Sequence, residues 1–64
     1  MKLNVEKIEK ERVRLGLTQE QLGNALGMSR QAWHEFLSKP ENKTLLSIKR
    51  VATFFDLDPK DLLI

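Results

Sequence analysis

At 64 residues, with 11 Lys and Arg against 9 Asp and Glu, the chain carries a formal charge of only +2. A chain this short forms one domain at most and buries about 60% of the surface its unfolded form exposes, so each apolar position matters. The absence of cysteine excludes disulfides and thiolate-held metals, and a single histidine argues against an all-protein zinc site. Residues 1–7 form no signal-type apolar run, and no stretch approaches the roughly 20 apolar residues of a membrane span, so an intracellular domain without membrane association is expected. The pI near 9.2 is weakly basic. Any nucleic-acid footprint must therefore come from where the charges sit rather than from their sum.

No apolar/polar alternation of strand type runs through the sequence, whereas helix start signals recur at regular intervals. Asn4 caps a first helix from Val5 to about Leu15, with Gly16 as its left-handed stop and Leu3 placed to staple against Ile8. Thr18 caps a second helix to Leu26, with Gln21 completing a capping box, Leu17 opposite Leu22, and Gly27 ending it. Ser29 caps a third, stapled by Met28 and Trp33. It ends near Ser38, because Pro40 disfavours helical geometry at Lys39. Thr44 caps a fourth helix to about Phe55. Asp58-Pro59 opens a short fifth, with Leu57 stapled to Leu62. The expected fold is a compact all-α domain of five helices over residues 1–64.

On the third helix, Ala32, Trp33, Phe36 and Leu37 share one arc and Arg30, Gln31, His34, Glu35 and Ser38 the other. That split alone fits any amphipathic surface helix. Its context is more specific: two short capped helices joined by a tight turn at Gly27 form a helix-turn-helix from Thr18 to Ser38. Gly23 in the second helix costs roughly 1 kcal/mol relative to Ala, which is understandable where the two helices cross closely.

The run Leu15-Gly16-Leu17-Thr18-Gln19-Glu20-Gln21-Leu22-Gly23, followed by Leu26-Gly27-Met28-Ser29-Arg30-Gln31, resembles the phage-repressor/Cro-type (Xre-like) helix-turn-helix proteins. The tail Leu57-Asp58-Pro59-Lys60-Asp61-Leu62-Leu63 is similar to the way that family closes its fifth helix, so the likeness spans about Ile8 to Leu63. The resemblance implies a lambda-repressor-like five-helix fold, a homodimer on operator-like DNA, and regulation of transcription in a bacterial or phage-like, nucleoid-associated setting. Carried over by position, it places Gln19 at a phosphate and against a base-reading residue. It puts Arg30, Gln31 and Glu35 at base edges with His34 and Ser38 beside them, and residues 39–43 along the DNA backbone.

The chemistry of these side chains agrees with that placement. Arg30 can donate twice to guanine O6 and N7, and Gln31 can pair with adenine N6 and N7. Glu35 can only accept, from cytosine N4, or else it repels phosphate. His34 is the fourth candidate base contact, with phosphate bonding or plain solvation as its alternatives. The candidate phosphate contacts are Thr18, Gln19, Ser29, Ser38, Lys39, Asn42 and Lys43, with free N–H groups at the start of the second helix assisting. A solvated charged loop is the alternative for residues 39–43.

Trp33 could stack on bases, but its arc is the core-facing one, and a packing with Phe36 and Phe55 is expected. The family generally has a smaller aliphatic at that position, often an acid at the position of Leu37, and a small residue at the position of Lys39. Without the acid, Arg12 must find Glu9 or Glu11, or reach solvent. On the fourth helix Leu45, Ile48, Val51, Ala52 and Phe55 face the core. Leu46 and Phe54 fall outside that arc and, with Leu63 and Ile64, form a candidate dimer patch unless the fifth helix covers them. A two-fold dimer would set two recognition helices about 34 Å apart on a palindromic site.

Two functions compete on this reading: a sequence-specific regulator of double-stranded DNA, and a protein-interaction module of antitoxin-like or antirepressor-like kind. The near-balanced charge and Glu35 keep the second open. An enzyme is not expected, since no nucleophile–base pair or glycine-rich phosphate loop is present, and neither a cofactor nor a small-molecule substrate is suggested.

Overall fold

The structure, a computed structural model, describes residues 1–64. Four α-helices follow one another with short connections: α1 (Val5–Arg14), α2 (Gln19–Ala25), α3 (Arg30–Ser38) and α4 (Leu45–Phe55). Each starts where a side chain supplies the acceptor that the first turn lacks. Asn4, Thr18, Ser29 and Thr44 accept from the backbone N–H three residues on, an arrangement worth about 1 kcal/mol per helix. At α2 the capping box is complete, since Gln21 also accepts from the Thr18 N–H at 2.9 Å. Gly16 and Gly27 sit at φ +70 and +76, the left-handed geometry that ends a helix without Cβ strain. Helix α4 ends instead on Asp56 at φ 58, a stop without glycine.

The expected fifth helix is a single 3-10 turn, Pro59–Leu62. Asp58 caps it, and its hydrogen bonds run i to i+3, from Asp61 N–H to Asp58 and from Leu63 N–H to Lys60. Beyond it the backbone is used otherwise. Leu63 becomes extended and forms an isolated antiparallel bridge with Leu3, and the Ile64 N–H donates to the Lys2 carbonyl at 3.0 Å. Extended pairing with the N-terminal segment thus replaces further helix.

The same segment is held on its other side, where the Leu3 N–H donates to the Pro40 carbonyl and the Lys43 N–H to the Met1 carbonyl, each at 2.9 Å. Leu3 is fully buried by this double attachment. The core joins it to Ile8, Leu22, Leu26, Trp33, Ile48, Val51, Ala52, Phe55 and Leu62. Two arc positions fall outside the core. Ala32 and Leu45 are exposed, because the apolar arc of each helix is wider than the surface that packs on it. No helix is long and apolar enough to cross a membrane.

Candidate nucleic-acid interface

The pairing of α2 with α3 rests on one close approach. A Cβ built on Gly23 would lie 2.9 Å from Trp33 Cβ and 3.3 Å from its Cγ, so the indole occupies the space a larger residue would fill. Trp33 is 1% exposed and stacks on Phe36 with ring centroids 5.5 Å apart. The turn between the helices is closed by the Met28 N–H on the Gly23 carbonyl at 2.8 Å. It is also braced from outside, because the Arg50 guanidinium of α4 donates to the Leu26 carbonyl, one of the orphan acceptors at the end of α2. Arg50 lies 24 residues from its acceptor, and no local sequence signal announces that contact.

With Trp33 directed inward, α3 turns Arg30, Gln31, His34, Glu35 and Ser38 outward, and all five are exposed. The side chains of Arg30, Gln31, His34 and Glu35 make no hydrogen bond or ion pair within the chain. Arg30, Gln31, His34, Trp33 and Leu37 line a groove of about 550 Å3 together with Gln19 from α2. Three of the four candidate base contacts therefore line one concavity, and Glu35 lies outside it. Leu37, where the resembled family often has an acid, is half-buried against the core.

Gln19 is held from two sides. Its Oε1 accepts from Trp33 Nε1–H at 2.7 Å, and its Nε2 donates to Glu9 Oε1. Glu9 in turn accepts from Arg12 Nε and Nη2, the latter at 2.9 Å, while Arg12 Nη1 donates to the Leu17 carbonyl at 2.5 Å. Arg12 therefore takes Glu9, one of the partners considered for it, and Glu11 pairs with Arg14 at 2.7 Å. The Arg12 hydrogen bond holds the Glu9 carboxyl below the usual carboxylate range, against the opposing effect of burial and with help from Gln19. Reciprocally, Glu9 raises the Arg12 guanidinium.

Among the other candidate phosphate contacts, Thr18 and Ser29 use their hydroxyl oxygens as caps, and Ser38 Oγ donates to the Glu35 carbonyl at 2.8 Å. Lys39 and Asn42 are exposed, and Asn42 takes φ 60 in the turn after α3. Lys43 holds its Nζ 4.1 Å from the Phe36 ring centroid, so a cation lies against the stack that supports α3. Phe36, Arg50 and Glu9 thus help to shape the site, although none is a candidate contact in the sequence.

The candidate dimer patch is uneven. Leu46 and Ile64 are 72% and 76% exposed, so they stand open, whereas Phe54 is only 37% exposed and packs edge-on against Phe55. Leu63 is half-buried and packs on the core. No group of three or more His, Asp or Glu side chains is gathered as a metal ion would need. Set against protein-family models, curated proteins and solved structures, the chain finds no match.

Proposed function

We propose that the chain is a sequence-specific double-stranded DNA-binding regulator of transcription. In this reading α2 and α3 act as a helix-turn-helix of the phage-repressor/Cro kind in a lambda-repressor-like domain. The observation that carries it is the outer face of α3: Arg30, Gln31, His34 and Glu35 are exposed, unpaired within the chain, and set on a helix fixed from behind by Trp33 against Gly23. A helix fits the major groove, where Arg30 and Gln31 each match one purine edge by a two-point contact worth roughly 1–3 kcal/mol of discrimination. Lys39 and Lys43 lie after α3 where phosphates pass beside such a helix, and the chain would act in the cytoplasm at the nucleoid.

The size of the chain fits a dimeric reading of a palindromic site. The longest extent of the chain is 24 Å, shorter than the roughly 34 Å between half-sites one helical turn apart. One copy therefore reads one half-site. A homodimer on a palindromic operator would bring two copies of α3 to one face of the duplex, with Leu46, Phe54, Leu63 and Ile64 as the surface for pairing.

Selection from random duplexes tests the reading. An enriched motif of two inverted half-sites, with affinity falling steeply as salt rises, is the expected result. Weak salt-sensitive binding with no enriched sequence would overturn it in favour of a protein-interaction module. Within the site, Lys43→Ala should weaken all duplexes alike and reduce the salt slope by about one.

A further inference from the structure

The hydrogen bonds around Gln19 fix which end of its amide is free. An amide can usually turn over, exchanging its oxygen and nitrogen at little cost. Here its two neighbours have opposite and exclusive requirements. The Trp33 indole N–H can only donate, and the ionised Glu9 carboxylate can only accept. Oxygen must therefore face Trp33 and nitrogen must face Glu9, as the structure has them. Arg12 keeps Glu9 in place and ionised, and is itself anchored on the Leu17 carbonyl. A chain of contacts thus runs from α1 through the start of α2 into the inner face of α3, with no ambiguity of direction at any link.

The nitrogen of Gln19 carries two hydrogens, and one goes to Glu9. The second has no partner within the chain, and Gln19 lines the groove beside Arg30, Gln31 and His34. From this juxtaposition we infer that Glu9 and Trp33 are positioning residues that set Gln19 as a fixed hydrogen-bond donor toward an acceptor on DNA seated at the groove, a backbone phosphate oxygen. The inference rests on the DNA-binding reading above and adds residues from outside the helix-turn-helix to it. A phosphate offers only acceptors, so a Gln19 free to turn over would present its oxygen to an anion part of the time. The lock removes that state before binding, which is how preorganisation adds affinity without adding a contact.

Glu9→Gln breaks one side of the lock, because a neutral amide both donates and accepts, and Gln19 can then turn over. Trp33→Phe breaks the other side while keeping an aromatic ring against Gly23. Glu11→Gln serves as the control: it neutralises a carboxylate on the same helix that pairs with Arg14 and bonds to neither Gln19 nor Trp33. Affinity for the best duplex from a random-sequence pool is measured on all three variants at temperatures where each is folded. Hydrogen exchange at the Trp33 indole is measured on the two that keep the indole, Glu9→Gln and Glu11→Gln.

Glu9→Gln and Trp33→Phe should each weaken duplex binding by about three- to tenfold, the range for one lost hydrogen bond, while Glu11→Gln leaves it unchanged. In the unbound protein, Glu9→Gln should speed exchange of the indole hydrogen, and Glu11→Gln should not. Unchanged affinity in both lock variants, or equal loss in Glu11→Gln, would overturn the positioning role. Unchanged indole exchange in Glu9→Gln would overturn the lock itself. If the unaltered chain binds no duplex, the functional reading fails together with the phosphate assignment, while the indole exchange still decides whether Glu9 fixes the amide.

Discussion

Helices α1 and α3 are nearly equal in length and both are amphipathic and capped, yet their polar faces differ. On α1 the acids are engaged by bases one turn away: Glu6 with Lys10, Glu9 with Arg12, Glu11 with Arg14. On α3 the outward side chains of Arg30, Gln31, His34 and Glu35 have no partner in the chain. A helix whose charges neutralise one another locally offers little to a charged ligand. A helix whose polar groups stand free on a rigid backing is available to one. On the proposed function α1 supports and α3 makes contact, and variants of the two helices should part accordingly.

The largest effect should come from the backing of α3. Trp33→Ala empties the position between α2 and α3 and should cost roughly 3–5 kcal/mol of unfolding free energy in urea titration. In a domain of this size that removes much of the stability. Should α3 keep its fold and its duplex affinity after that change, the seating of α3 by Trp33 would be mistaken. Gly23→Ala should follow. The added Cβ meets Trp33 at 2.9 Å, an overpacking that costs about 1–3 kcal/mol, against which Ala returns roughly 1 kcal/mol of helix propensity. A net loss in melting temperature is expected, and a gain would show that Trp33 can step aside.

Acid should act mainly through α1. Glu9 and Glu11 are both held below the usual carboxylate range, by hydrogen bonds from Arg12 and Arg14 respectively. A carboxyl that is more acidic when folded favours the folded state while ionised. That stabilisation is complete above the unfolded value of about 4.3 and is lost as pH falls through the folded values. Melting temperature should therefore decline below about pH 4, and the double variant Glu9→Gln with Glu11→Gln should flatten that decline. The smallest effect belongs to Lys10→Ala. Its pair with Glu6 spans 3.6 Å between side chains about three-quarters or more exposed, and such pairs are weak. No measurable change in melting temperature is expected, nor any in duplex affinity.

Local signals carried most of the fold. The caps at Asn4, Thr18, Ser29 and Thr44 were legible because a cap needs only its own residue and the backbone three positions on. Gly16 and Gly27 were legible because only a residue free of Cβ strain stops a helix readily at positive φ. Gly23 and Trp33 could be placed by combining helical spacing with the closeness of the turn. Contacts distant in sequence were not legible. The Arg50 bond to the Leu26 carbonyl and the burial of Leu3 between residue 40 and the C-terminal segment depend on elements brought together by the whole fold. Periodicity gives the direction of an apolar arc but not the width of its partner, so Ala32 and Leu45 share the arc of a core that does not reach them. Asp58-Pro59 signals only the start of a helix, and nothing local marks that it stops after one turn. Its length was set by pairing with residues 2 and 3 at the other end of the chain.

For the candidate site, the free face of α3 followed from arcs alone. The commitment of Gln19 to both Glu9 and Trp33 did not, since it joins three helices across 10 and 14 residues of sequence.

The central claim, that the outer face of α3 reads base pairs, is tested most directly with Arg30→Ala. Its base preferences across every position of the enriched duplex would be measured beside those of the unaltered chain. Arg30 is exposed and unpaired, so stability should change by less than about 0.5 kcal/mol. Preference should relax at one base pair in each half-site, by roughly 1–3 kcal/mol, with the others intact. An equal loss of affinity for all sequences, or an unchanged profile, would contradict the claim.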